Sequence, residues 1–449
     1  EIRLSLVGSE MCIRDRRKAG FFFIDGFVRE DMAEKLMQFF YSLKESDITS
    51  LDIFLEKGMP YTEVTRSGNV DYVITQFLSG VSIMTIDGFD ECLLIDCRTY
   101  PMRSVSEPWK DRVLRGSRDG FVETLVSNAA LLRRRIRDPR FSMELYGVGR
   151  RSRSDVAICY ISDSVDQNIL NRMRKLIQSI DVDALTMNIE SLAECMFTHK
   201  WINPFPKFKY SERPDTATAA ILDGNIVIMV DNSPAVMIIP ASIFDIIEEA
   251  DDFNFSPMIG SYLRITRFFF SIVTWILTPL WLLFVNNPDW VPEFMKFVLI
   301  TDDITVPVLL QLLILELAVD GLKLAAVNTP TMLSTPLSIV AGIVVGEYAV
   351  SSGWFNPEAL LYMAVVTVGT YGQTNFEMGY AFKFLRVLTL ILTQIFNLGG
   401  FIAGVVISVL MIAFNRTITG KSYIYPLIPW DGKMLKRKVL RVRLPHSYK

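Results

Sequence analysis

Two histidines, His199 and His446, are all the imidazole in these 449 residues, and the five cysteines form no CxxC pair. That excludes a disulfide framework and a zinc site built from His and Cys, and an odd thiol count fits a reducing compartment. GxxxxGK[ST], GxSxG and HExxH are all missing, so the sequence offers no phosphate cradle, nucleophile elbow or zinc-protease helix. His199, in FTHKWINPF, has no acid or base beside it, so a packing or surface role is expected and an enzyme is not. The net charge of −3 supplies no global positive field, and nucleic acid is not an expected partner. No apolar core of the secretory type opens the chain, so the first 200 or so residues are expected in the cytosol.

What the chain has in abundance is apolar surface. Half of its residues are hydrophobic, 30 Phe among them, and the mean hydropathy is +0.30, too apolar for one soluble domain. Glu1 to Arg16, EIRLSLVGSEMCIRDR, resembles a translated sequencing-adapter peptide and is set aside as carrying no structural weight.

From Lys18 to about Asp252, short β-rich runs alternate with amphipathic helical stretches, the pattern of α/β structure. The pattern repeats. Phe21-Phe-Phe-Ile-Asp-Gly26 precedes a helical stripe of Met32, Leu36, Phe39, Phe40 and Leu43, and Val156-Ala-Ile-Cys-Tyr-Ile161 precedes one of Ile169, Leu170, Met173, Leu176, Ile177 and Ile180. A hairpin in Gly80–Cys97, turning at Asp87-Gly88, has its counterpart in Gly224–Pro240. Two similar α/β subdomains are therefore expected, at residues 17–105 and 156–255. A helical connector at 106–155 joins them, with Val122, Leu125, Val126, Ala129, Leu132 and Ile136 on one face.

Residues 260–418 are expected to form an all-α polytopic membrane domain. Phe268–Val285 is uncharged and long enough to span, with a candidate kink at Pro279. Leu337–Val350, Ala359–Gly372 and Val387–Phe414 follow, while Val306–Ala326 either spans or re-enters. Arg264 and Arg267 precede the first span, Asp289, Glu293, Asp302 and Asp303 follow it, and a basic tail occupies 419–449, so both termini are expected in the cytosol. Four crossings result, or six if Val306–Ala326 spans and Val387–Phe414 folds back at Asn397-Leu-Gly-Gly400.

Carboxylates at membrane depth are costly and mark ion pathways or ion pairs. Glu316 and Asp320 share one helical face, Gln311 adds polar lining, and Glu347 lies in another apolar segment; these four are the candidate pathway residues. Pairing of Asp320 with Lys323, three residues on, is the structural alternative. Arg133, Arg134, Arg135 and Arg137 are either a solvated helix face or a contact for anionic lipid or a partner. No cofactor or metal is expected.

NPFPKFKYSERPDTATAAILDGNIVIMVDNSPAVMIIP (Asn203–Pro240), with Arg213-Pro214-Asp215 and Asp223-Gly224 as landmarks, resembles the most recognisable stretch of the GerA-type spore germination proteins. Arg115–Pro139 and Val148–Ile161 are similar to the same family, and the likeness covers everything after Arg17. It implies a subunit of the spore inner membrane that oligomerises, contacts lipids and other germination subunits, and conducts ions, expected to be cations. A transporter of dipicolinate or a germinant, and a non-conducting scaffold, are the alternatives. The landmarks Arg213, Pro214, Asp215, Asp223 and Gly224 are implied to be structural, and the family brings no catalytic residues. Many relatives carry a Pro-Ser-Tyr turn where this chain reads Tyr371-Gly-Gln-Thr-Asn375, so that loop is not carried over.

Overall fold

The computed structural model describes residues 6–13, 17–24, 28, 30–42, 50–58, 63–98, 104–108, 111–197, 203–329, 342–373 and 375–442. His199, His446 and residues 337–341 of one expected span lie outside them. The chain divides into two compact units, Glu1–Ser104 and Val105–Lys449.

In the first unit, β1 (Leu6–Ile13), β2 (Arg17–Ile24), β3 (Val64–Ser67), β4 (Ser82–Ile86) and β5 (Cys92–Ile95) form an antiparallel sheet in the order β1-β2-β4-β5-β3. Leu6–Ile13, within the stretch set aside on sequence, pairs with β2 along its whole length. Alternation decides the two faces. Ala19, Phe21, Met84 and Ile86 point to α1 (Glu30–Ser42) and α2 (Leu51–Gly58), where Leu36, Phe40 and Phe54 meet them. Ile83 and Leu94 point the other way, to Val73 and Phe77 of α3 (Val70–Leu78).

The second unit opens with α4 (Leu125–Arg135), followed by β6 (Phe141–Val148), β7 (Ser154–Ile161), α5 (Gln167–Gln178), α6 (Ile189–Met196), β8 (Lys209–Ser211), α7 (Pro214–Leu222), β9 (Ile226–Val230) and β10 (Val236–Ile239). Its antiparallel sheet runs β6-β7-β9-β10-β8, the order of the first with each strand replaced by its counterpart. Register repeats as well: Ser67 pairs with Cys92 as Ser211 with Val236, and Ser82 with Ile95 as Ile226 with Ile239, each residue displaced by 144 positions. The β9 and β10 strands, IVIMV and VMII, are apolar throughout because both faces are covered. α5 and α6 pack on one face, and α4 and α7 on the other.

The connector differs from its expected form. Helix α4 starts only at Leu125; Val122 is buried ahead of it, and Val126 is 68% exposed. Asn128 holds this entry, its side chain bonding both the N–H and the C=O of Val122 at 2.8 and 2.6 Å, which fixes that strand-like turn against the helix. The buried stripe is Leu125, Leu131, Leu132 and Ile136.

On the α5 side of the second sheet, Glu144 accepts bonds from Arg174 Nε at 2.9 Å, Tyr146 at 2.7 Å and Tyr160 at 2.5 Å. The Arg174 guanidinium, first, and then the tyrosine hydroxyls hold its carboxyl down at about 2. A carboxylate freed on unfolding titrates near about 4.3, so the stabilisation is complete above that pH and is lost as pH falls through the folded value. Melting of the wild type is expected to show this acid limb between about pH 5 and pH 2, and Glu144→Gln is expected to flatten it.

Beyond α8 (Ile243–Ile247) and α9 (Asp251–Asn254) come α10 (Pro257–Asn286), α11 (Val308–Asn328), α12 (Pro357–Tyr371), α13 (Phe376–Ala413) and, in the tail, α14 (Gly432–Val439). Two of these, α10 and α13, are long and apolar enough to cross a membrane. Pro279 leaves α10 unbroken. The segment α13 is interrupted at Asn397, with φ 52° and ψ −128°. An added Cβ on Gly400 would overlap the Leu392 carbonyl oxygen, and one on Gly404 would lie 2.9 Å from the Thr389 Cα. In a straight helix, positions 392 and 400 stand about 12 Å apart. The segment therefore doubles back, as residues 376–396 and 398–413, with glycines at the crossing because the two backbones touch. Asn287, just past the end of α10, ties the reversal with side-chain bonds of 2.6 and 2.9 Å to Asn397.

Candidate functional site: a buried ion-pair cluster

Glu316 and Asp320 project from α11 toward the first arm of α13. Arg386 Nε donates to Glu316 at 2.5 Å, with both side chains almost fully buried, and Lys383 pairs with Asp320 and stands 3.6 Å from Glu316. Arg386 also donates to the Thr274 carbonyl of α10. Three helices thus meet on one guanidinium. A cavity of about 60 Å³ opens beside the pairs, walled by Asp320, Lys323, Thr370, Tyr371, Tyr380 and Lys383.

The acids do form ion pairs, but the alternative pairing of Asp320 with Lys323 is not the one found. Lys323 instead lies over two aromatic faces, 5.3 Å from the Tyr371 ring centre and 5.5 Å from that of Tyr380. The acids face cations on another helix because α11 and α13 pack along that side, while Lys323, one turn on, turns its ammonium to the tyrosines. Glu316 and Asp320 are accordingly neutralised inside one chain.

The other pathway candidates are placed elsewhere. Gln311 is buried and spends its amide on the Val306 carbonyl and the Asn356 side chain, both at 2.7 Å, while Asn356 N–H donates back at 2.8 Å. It closes the loop ahead of α11 onto the start of α12. Glu347 is exposed on a π-helical turn, Gly342–Tyr348, apart from this cluster's lining.

A second ionic knot joins the α/β half to the helices. Asp252, fully buried, accepts from Arg264 Nε at 3.3 Å and Arg267 Nη1 at 2.5 Å. Arg264 also donates to Glu248 at 2.8 Å and to the tail carbonyls of Arg437 and Lys438 at 3.0 and 3.1 Å. Lys438 in turn pairs with Asp245 at 2.5 Å. Nearby, buried Lys207 bonds Asn415 and, at 3.0 Å, the Arg416 carbonyl just past α13; burial pulls its ammonium down to about 8.

The landmark residues carry the second sheet. Arg213 is 1% exposed; it grips Asp215 at 2.5 and 3.0 Å and the carbonyls of Asp111 and Ser117 at 3.2 and 2.9 Å, with Pro214 opening α7. Asp223 ends that helix, and Gly224, at φ +87°, turns into β9 so close to Ser164 that an added Cβ would stand 2.6 Å from its carbonyl oxygen. In the arginine run, Arg133 stacks on Phe141 and bonds its carbonyl at 2.8 Å, and Arg134 and Arg135 pair with Asp119 at 2.9 and 2.6 Å. Arg137 is exposed. Three of the four arginines therefore brace their own subdomain. Among the described residues, no group of His, Cys, Asp and Glu is placed to hold a metal ion.

The model of the family described as Bacillus/Clostridium GerA spore germination protein matches residues 4–449. This chain belongs to the GerA family. Stage V sporulation protein AF of Bacillus subtilis (strain 168) is 36% identical over 402 residues, covering 90% of this chain and 81% of that protein. Spore germination protein GerLA of Bacillus cereus is 26% identical over 447 residues, 97% of this chain and 90% of its own length. Among solved structures, the N-terminal domain of the A subunit of the Bacillus megaterium spore germinant receptor GerK3 is similar at 23% identity and a TM-score of 0.22, covering 52% of this chain and 87% of that one.

In this GerA-family chain, sequence reasoning missed Lys383 and Arg386, the residues that decide what the two acids do. A signal for them existed: two cations three apart at the head of an apolar helix match two acids four apart on another. Drawing the last span from Val387 left both cations just outside it.

Proposed function

We propose that this chain is a non-enzymatic, multi-pass membrane subunit of the spore germination apparatus, set in the spore inner membrane with its α/β half and both termini in the cytosol. It assembles with further copies and with other germination subunits around an ion-conducting path. One observation carries the membrane reading: the helical half has its polarity reversed. Phe269, Ile272, Leu317, Leu361, Val368, Ile395 and Val406 are exposed, while Arg386, Glu316, Thr274, Thr389, Thr393 and Ser408 are buried. Hydrocarbon outside and polar groups inside is the arrangement a bilayer selects.

The channel reading rests on the family and on this polarity. Because Glu316 and Asp320 already have partners within the subunit, a conducting path is lined where subunits meet. The transporter alternative called for helices broken within the membrane; Pro279 lies in an unbroken helix, and the break at Asn397 sits at the tip of a hairpin. Protein reconstituted in planar bilayers with its natural partner subunits is expected to give discrete conductance steps. Their absence, with saturable solute uptake into vesicles instead, would overturn the channel and favour the transporter.

A further inference from the structure

The two sheets are duplicates, but at one end the second carries charges where the first is neutral. Lys209 pairs with Ile238 as Thr65 pairs with Leu94, and Asp223 caps the C-terminus of α7 as Ser79 caps that of α3, each displaced by the same 144 positions. The fold is built once without these two charges, so their presence in the second copy calls for a reason other than the fold.

Both open onto one cavity of about 310 Å³, bounded by the connector at Asp111, by β8, α7 and β10, by α8 and α9, and by Lys438 of the tail. Lys209 faces Ile238 and Ile226 faces Ile239, so Lys209 and the start of β9 stand at the same end of the sheet with β10 between them. Lys209 and the strand that follows Asp223 are thus two strand spacings, about 10 Å, apart. The other acids of the wall are engaged. Asp215 is held by Arg213 at 2.5 and 3.0 Å, Asp245 by Lys438 at 2.5 Å, Glu248 by Arg264 at 2.8 Å and Glu249 by Arg267 at 2.5 Å, while Asp111 accepts from the Ser211 hydroxyl and the Glu212 N–H, both at 2.9 Å.

Asp223 and Lys209 differ from these. Among the described residues, the Asp223 carboxylate has no hydrogen bond or ion pair, and Lys209 uses one N–H of its ammonium, on the Glu248 carbonyl at 3.0 Å. Desolvation raises the Asp223 carboxyl and lowers the Lys209 ammonium, each toward its neutral form, as happens to charges short of a partner. Asp223 also stands at the negative end of α7, where the helix dipole favours a cation and opposes an acid.

We propose that this cavity is the binding site of a small organic ammonium ion with a hydrogen-bond acceptor at its far end. Asp223, at the negative end of α7, takes the ammonium, and the remaining N–H groups of Lys209 take the acceptor. Val113, Ala220, Ile238 and Ile246 supply apolar wall for a short carbon chain. A diamine is disfavoured by sign, because its second ammonium would meet Lys209.

The probe is aminopentanol, with an amine and a hydroxyl at the two ends of a five-carbon chain, titrated calorimetrically onto the full chain in uncharged detergent micelles. Pentylamine, which lacks the acceptor, and cadaverine, with an amine at both ends, are the comparators. Saturable binding of aminopentanol is expected, about tenfold tighter than that of either comparator. Asp223→Ser is expected to weaken it about tenfold or more, and Lys209→Thr to erase the preference over both comparators. Each substitution borrows the residue that stands at the equivalent position of the first sheet, and an unchanged circular dichroism spectrum establishes that the variants fold. Four results overturn the proposal: no saturable binding to the folded chain; binding that Asp223→Ser leaves intact; a preference that survives Lys209→Thr; or, without added amine, a melting point lowered as much by each single substitution as by the two together, which makes Asp223 and Lys209 partners of one another across the cavity.

Discussion

Arg386→Met is expected to lower the stability of the helical half by about 3–5 kcal/mol, because it leaves the carboxylate of Glu316 buried without its closest cation. Among the described residues, the cation left to Glu316 is Lys383, at 3.6 Å and shared with Asp320. Thermal unfolding in detergent measures the loss. The double variant Glu316→Leu with Arg386→Met is expected to recover most of it, since well-packed apolar replacements of a buried pair are often neutral or stabilising. Single and double variants with equal losses would refute the pair as the cause. The double variant also separates two uses of the cluster. If spores carrying it still release ions on germination, the pair holds the helices together and no more; if the folded protein is silent, the charges themselves take part.

Gly400→Val is expected to be the next most damaging change. Its first added atom meets the Leu392 carbonyl oxygen, and that obstacle is backbone, which cannot swing aside as a side chain can. The cost falls at or above the upper end of the ~1–3 kcal/mol typical of overpacking. Gly399→Ala is the control, since nothing lies within 4 Å of an added Cβ there. Limited proteolysis should cut the Gly400 variant near position 397 while the control resists. A Gly400 variant that melts like the wild type would mean that the two arms do not touch.

The duplication was legible because it rests on local signals. A strand run before an amphipathic stripe, and Asp87-Gly88 between two apolar runs, are written within a dozen residues each. The reversal at Asn397 was one of two readings the sequence left open: Asn-Leu-Gly-Gly inside an apolar run gives a turn room without requiring one. What escaped was non-local. Glu316 and Arg386 are 70 residues apart, and no spacing along α11 says that its acids face the next-but-one helix rather than Lys323. Val126 escaped because period alone assigned it to the buried stripe, whereas α4 packs through a narrower one. Leu6–Ile13 is a different case: its likeness to an adapter peptide gave it no weight, yet eight backbone pairings with β2 make it a strand, because pairing asks more of the neighbour's edge than of the side chains.

Arg264 has one more consequence. Its three nitrogens reach Asp252, Glu248 and the carbonyls of Arg437 and Lys438, so the last turn of the α/β half, the root of α10 and the tail share one fastening. Lys438 adds a second grip on Asp245, in the helix directly after β10. The sheet and the first apolar helix are therefore geared together rather than tethered: a rotation of the second subdomain turns the root of α10 with it, and the tail is the key in that shaft.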